Sequence, residues 1–161
     1  MPRITPEQAG GANVCAFLDM LAVSEIGEGL LHHSDDGYDV LVGSTARAPL
    51  LFDSYAAHPA VYNRRLNSTA AGRYQLLARY WPAYKAKLGL PDFGPVSQDR
   101  IAIQQIKERG ALGLVQSGHL TAAIAKVSNI WASLPGAGYG QHENDMASLR
   151  EAYTKAHGVL A

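Results

Sequence analysis

The chain has 161 residues, of which 47% are hydrophobic and only 17% charged, against about a quarter charged in an average soluble domain. That balance excludes a disordered chain and suffices to bury a core. Fourteen basic residues offset fourteen acidic ones, so the chain lacks the overall positive field of a general nucleic-acid binder.

The first predicted element is a helix from about Asn13 to Ser24. Val14, Phe17, Leu18, Leu21 and Ala22 recur at i, i+3, i+4, i+7 and i+8 as one apolar stripe, and Gly27 and Gly29 end it. Tyr38 to Leu51 changes character. YDVLVG is rich in β-branched and apolar residues, and GSTARAP is turn-like before a second apolar run, LLF. A small hairpin ending near Asp53 is expected there.

After His58-Pro59, Ser68 or Thr69 is placed to cap a helix through Tyr74, Leu77 and Trp81. Pro82 either kinks that helix or begins a second one through Tyr84 and Leu88. PVSQDRIAIQQIKERG reads as another helix, with Ser97 as N-cap and Gly110 just past its end. GHLTAAIAKVSNIWASL follows with a similar period, PGAGYG breaks the chain, and ENDMASLREAYTKAHG closes it. The expectation is an α+β fold dominated by helices, forming a single domain over residues 1–161 without repeats or linkers.

The single cysteine, Cys15, excludes an intrachain disulfide and every zinc site that needs two thiolates. It lies one position from the apolar stripe and reads as a small buried hydrophobe rather than a nucleophile. The amino-terminal apolar run is broken by Asp19, so it does not read as a signal peptide. No window reaches the eighteen or so apolar residues of a spanning helix. A soluble chain that stays in the cytoplasm after synthesis, without inserting into a membrane, is expected. His32 and His33 are adjacent, and His58, His119, His142 and His157 are isolated. No HExxH or i, i+4 pair occurs, and no metal site is expected.

PGAGYG does not sit between a strand and a helix in either nucleotide-binding pattern, and no Lys-Ser/Thr follows it, so a turn lining a cleft fits it as well. Glu25 carries more chemistry. It falls at the carboxyl end of the first helix, where free carbonyls disfavour an ionised carboxylate and push its pKa upward. A glutamate held protonated is what a general acid requires, although a glutamate at a helix end is usually just solvated. Glu28, Asp35, Asp36, Asp39 and Asp53 allow a second carboxylate nearby, at a distance the sequence leaves open. Tyr38, Tyr74, Tyr80, Trp81, Tyr84, Trp131 and Tyr139 are mostly core candidates, and one or two of them suit a groove for sugar rings.

Several segments together resemble the lambda-type phage endolysins. They are AFLDMLAVSE, GYDVLVG, STAAGRYQLL, SQDRIAIQQIKERGAL and SNIWASLPGAGYGQ, in the family's order from Ala16 to Gln141. The resemblance implies a lysozyme-like fold, with a helical body, a small β-hairpin or sheet subdomain and a substrate groove between them. It implies lytic transglycosylation of the peptidoglycan of a bacterial host, leaving 1,6-anhydro-N-acetylmuramic acid, with Glu25 as the catalytic acid and no cofactor. GRYQ resembles the family's Gly-x-x-Gln element, which makes Gln75 a groove residue hydrogen-bonding an acetamido group. Its plain alternative is a local capping amide.

By the same resemblance Tyr139 binds substrate, and Tyr38 and Asp39 serve the β-side of the groove, with core packing the equal alternative for Tyr38. A monomer that a holin releases to the cell wall is also implied. The sequence departs from the family's best-known pattern at Val23, in IGEGLLHHSDDG and in the longer turn GSTARAPLLFD, all around the groove. Two rival functions are a hydrolytic muramidase on the same fold, using Asp35, Asp36 or Asp39 as second carboxylate, and a non-catalytic peptidoglycan-binding protein.

Overall fold

The computed structural model describes residues 1–140 and 142–161. Among these, eight α-helices follow in the order α1 (Pro6–Ala9), α2 (Ala12–Ile26), α3 (Glu28–His32), α4 (Trp81–Leu88), α5 (Pro95–Glu108), α6 (Leu112–Gln116), α7 (Leu120–Val127) and α8 (Met146–Lys155). A 3-10 turn, Ala78–Tyr80, leads into α4.

Helix α2 is the axis of the body, contacted by α1, α3, α5, α6 and α8. The sequence predicts one apolar stripe on it. In the structure Val14, Ala16, Phe17, Leu18, Met20, Leu21 and Ala22 are all at most 1% exposed, so the helix is covered on most of its circumference, as an almost uniformly apolar helix must be. Each fully buried Leu or Phe here contributes roughly 1.5–3 kcal/mol. Gly27, at φ 82°, ends the helix and turns the chain into α3. Thr5 and Gln8 form a reciprocal capping box on α1, and Asp145 caps α8 by accepting from the Ser148 N–H at 2.7 Å.

A second, smaller apolar cluster of Ala71, Leu76, Trp81, Leu90, Phe93 and Ile101 lies between the start of α4, the start of α5 and the segment before α4. That segment differs from two expectations. The sheet is reduced to isolated antiparallel bridges, Val40 with Leu51, Leu41 with Ala71 and Ala71 with Leu76 among them. Residues at positive φ, including Gly43, Ala60, Asn67, Gly72 and Gln75, interrupt the ladder every few positions. The helix expected through Tyr74 and Leu77 is absent for the same reason: Gly72 and Gln75, at φ 81° and 51°, close a tight turn in its place. Thr69 does cap, but its hydroxyl accepts from the Ala78 N–H at 3.1 Å, where the 3-10 turn begins. Helix α5 starts two residues before the expected cap, with Gly94 as N-cap and Pro95 at its first position. Among the described residues no helix is long and apolar enough to cross a membrane.

Candidate functional site

A groove of about 800 Å³ runs between the helical body and the bridged segment. Its walls come from the end of α2, residues 40–44, the turns at 66–77, the end of α5 and the stretch 129–132, with Tyr139 at its rim. Helix α2 brings Glu25 to this wall on its last turn. The Ser133 hydroxyl and the Ser133 N–H both donate to Glu25 Oε1, the latter at 3.4 Å. Burial pushes the Glu25 carboxyl above the usual carboxylate range, and the two Ser133 bonds work against that rise. The sequence points to the helix-end field as the cause; in the structure desolvation has that role.

Gln75 lines the same groove. Its left-handed backbone closes the turn onto Gly72, and its Nε2 donates to the Gly72 carbonyl at 2.9 Å. The side-chain amide is thus oriented by its own turn, which combines the groove and capping readings. Gly72 is required there because a Cβ would stand 2.2 Å from Gln98 Oε1. That oxygen accepts from the Arg73 N–H at 2.9 Å, while Gln98 Nε2 donates to the Tyr38 and Phe93 carbonyls. A buried amide of α5 therefore fixes the GRYQ turn from behind. From the other side, Trp131 Nε1 donates to the Tyr74 carbonyl at 3.1 Å.

Tyr139 is 57% exposed at the groove, and its hydroxyl donates to the Asn129 carbonyl at 2.6 Å. The glycines of PGAGYG shape the loop beneath it. Glu143 accepts from the N–H groups of Gly136 and Gly138, both at 3.0 Å, which holds its carboxyl below the usual range.

Tyr38 and Asp39 are not at the groove. Tyr38 is fully buried, because its hydroxyl donates to Asp99 Oδ1 at 2.7 Å. Asp39 accepts from the Asp35 N–H at 2.9 Å and so closes a local turn. Asp35 is bound by Arg3 and the Tyr55 hydroxyl, and Asp36 by Arg73. None of the three aspartates lines the groove. Its second carboxylate is Glu108 of α5, held ionised with a pKa of about 2 by Lys87, Gln104 and Tyr84. Sequence reasoning passes over Glu108, and also over Ser133 and Asn144. The first stands in a helix that reads as ordinary, and the other two approach Glu25 only through long-range folding.

Cys15 is half-buried against the core, and burial pushes its thiol up. Among the described residues no three His, Cys, Asp or Glu side chains gather as metal ligands do.

Comparison with known proteins supplies the family. The Endolysin family model matches residues 15–160. The endolysin of Escherichia phage P2 is 48% identical, with the whole of both chains covered. That of Escherichia phage lambda is 52% identical over 90% of this chain and 91% of its own. Among solved structures, bacteriophage lambda lysozyme complexed with a chitohexasaccharide superposes with a TM-score of 0.86 at 48% identity, over all of both chains. A second structure of the phage lambda lysozyme gives 0.81 at 47% identity, again over both whole chains. With its groove, its helical body and this degree of likeness, the chain belongs to the Endolysin family and carries the fold of the phage lambda lysozyme.

Proposed function

We propose that the protein cleaves the β-1,4 glycosidic bonds between N-acetylmuramic acid and N-acetylglucosamine in bacterial peptidoglycan by lytic transglycosylation, for host cell lysis. The observation that carries this reading is Glu25, a carboxyl whose pKa is raised by burial, set in the wall of a groove of about 800 Å³. The chitohexasaccharide held by the phage lambda lysozyme supports a glycan as the occupant. In this reading the bridged segment is a reduced β-lobe, and Gln75 and Tyr139 contact the sugars.

Protonated Glu25 gives its proton to the glycosidic oxygen as the C1–O bond breaks and oxocarbenium character develops. The carboxylate then takes the proton of the C6 hydroxyl of the same muramic acid. That oxygen attacks C1 and closes the 1,6-anhydro ring, which returns Glu25 to its starting form. No water is activated, so no second carboxylate takes part. The diversion of Asp35, Asp36 and Asp39 into contacts away from the groove supports this economy.

A hydrolytic reading rests on one observation: ionised Glu108 lines the same groove. Mass spectrometry of muropeptides released from purified peptidoglycan separates the two. Muramic acid ends lighter by one water and resistant to borohydride are expected, whereas reducible ends would mean hydrolysis with Glu108 as the candidate base. Release of no fragments would leave a peptidoglycan-binding protein. We place the protein in the host cytoplasm as a monomer until a holin opens the inner membrane, then at the cell wall. Lysis by the protein expressed without a holin would refute that placement.

A further inference from the structure

We infer that Asn144 and Ser24 are positioning residues for Glu25: a one-way chain of hydrogen bonds running from Asn144 through Ser24 and Ser133 makes Glu25 Oε1 an acceptor and leaves the acid proton on Oε2. The inference rests on Glu25 being the proton donor.

The direction of the chain follows from its ends. Asn144 Nδ2 lies 3.2 Å from the Ser24 carbonyl, 3.0 Å from Ser24 Oγ and 3.4 Å from the Ser133 carbonyl. Carbonyls only accept, so the amide must present its NH2 group to this corner. Ser24 Oγ therefore accepts from Asn144 and keeps one proton to give. Among the described residues its only acceptor is Ser133 Oγ, at 2.7 Å. Ser133 Oγ, having accepted that bond, turns its own proton to Glu25 Oε1, and the Ser133 N–H donates to the same oxygen.

Two donors on Oε1 exclude a proton there when Glu25 is neutral. Oε2 has no protein partner among the described residues, so it holds the proton and delivers it to the glycosidic oxygen. Once the proton has left, Oε2 is also the atom that takes up the next one, because Oε1 stays engaged throughout.

Asn144 holds this corner at both its ends. Its backbone N–H donates to the Ser133 carbonyl at 2.8 Å, while its side chain reaches the last turn of α2. The segment that follows the PGAGYG loop thereby clamps residue 133 against the helix that carries Glu25. Apart from burial, Ser133 is the only group among the described residues that shifts Glu25's titration, so the hydrogen-bond chain acts on a carboxyl whose shift carries no charge contribution from them.

The test is the pH dependence of kcat and kcat/KM for peptidoglycan solubilisation by Ser24→Ala, Ser24→Thr, Asn144→Asp and Glu25→Gln. Ser24→Ala removes one half-buried hydroxyl and leaves Ser133 free to turn away from Oε1. We expect kcat to fall about tenfold, as for a lost hydrogen bond to an ionising group, with KM within about twofold. The alkaline limb should move up by about one pH unit, since Oε1 loses a bond that favours the carboxylate. Asn144→Asp nearly keeps shape but replaces the donor with an acceptor. The Ser24 hydroxyl then turns toward the new carboxylate, and the same upward movement should follow. Ser24→Thr keeps a hydroxyl and should restore the parent profile.

A merely structural role would lower thermal stability and leave the limb where it was. Unchanged kcat and pH profile in Ser24→Ala, beside an inactive Glu25→Gln, would overturn the relay while sparing Glu25 as acid. An active Glu25→Gln would overturn both.

Discussion

Arg73 Nη2 lies 2.5 Å from Asp19 Oδ1, an ion pair in which the arginine side chain is 1% exposed. It joins the GRYQ turn to the helix that carries Glu25. The same guanidinium reaches Asp36 Oδ1 at 2.8 Å and donates to the Asp36 carbonyl, and its Cζ stands 5.2 Å from the centre of the Tyr38 ring. Burial pushes the Asp19 carboxyl up and Arg73 draws it back down. The Met1 ammonium, 3.5 Å from Asp19 and 2.8 Å from Asp36, is the second cation these two carboxylates share. Replacing Arg73 with Ala should cost up to about 3–5 kcal/mol, because it leaves the mostly buried Asp19 with only the exposed Met1 ammonium, 3.5 Å away. Arg73→Lys should recover only part of this, since one ammonium does not reproduce the fork. Urea denaturation measures both, and a loss below about 1 kcal/mol for Arg73→Ala would contradict the account.

Glu25 places function and stability in opposition. Its folded-state pKa lies above the ordinary 4.5, so the folded chain holds this proton more tightly than the unfolded chain. The associated stability is complete below 4.5 and is lost as pH rises through the folded value. Glu25→Gln cannot ionise and should therefore melt higher than the parent at neutral pH, with the gain vanishing under acid conditions. Its activity should fall by about 100-fold or more, the proton donor being gone. Equal melting temperatures at neutral pH would show that burial does not destabilise the ionised form.

Tyr38 and Tyr139 should separate cleanly in kinetics. Tyr38 shares Asp99 with the Tyr74 hydroxyl and the Arg3 and Ile4 N–H groups, all within 2.9 Å. Tyr38→Phe should cost about 1–3 kcal/mol in stability and leave KM unchanged. Tyr139→Ala should leave stability within about 0.5 kcal/mol. Its KM should rise by about threefold to tenfold, as for one lost aromatic contact. A raised KM in Tyr38→Phe would return that residue to the groove.

The contrast between these tyrosines shows what a sequence can carry. The apolar period of α2 and the position of Glu25 at its end are local properties, and both are legible. Asp19 reads only as a charge that interrupts an apolar run, because its partner is 54 residues away. The turn at Gly72–Gln75 misleads for a related reason. Its apolar spacing suits a helix, but Gln98 from α5 claims the space a Cβ would need and pairs with Arg73 N–H. Ser133 and Asn144 meet Glu25 and Ser24 across 108 and 120 residues of chain, and no short-range pattern encodes such a meeting. The resemblance of SNIWASLPGAGYGQ to the family marks that region as important without indicating that Ser133 holds the acid.

His58 should make the turn behind Leu76 sensitive to acid. It is buried, with Nε2–H donating to the Leu76 carbonyl at 2.8 Å and Nδ1 accepting from the Ala60 N–H at 3.0 Å. Its ring lies 4.7 Å from that of Phe93, centre to centre. Burial holds its pKa below the ordinary 6.5. A second proton, on Nδ1, would face the Ala60 N–H and break that turn. The sign follows directly: below 6.5 the unfolded chain takes up a proton that the folded chain refuses. His58 therefore contributes stability that is complete above 6.5 and is lost as pH falls toward the folded value. His58→Gln lacks this titration, so the stability of the parent relative to the variant should decline on acidification by up to about 1.4 kcal/mol per pH unit. Urea denaturation of both proteins between about pH 5 and 8 tests it. A difference that stays constant over that range would mean that His58 titrates alike in the folded and unfolded chain.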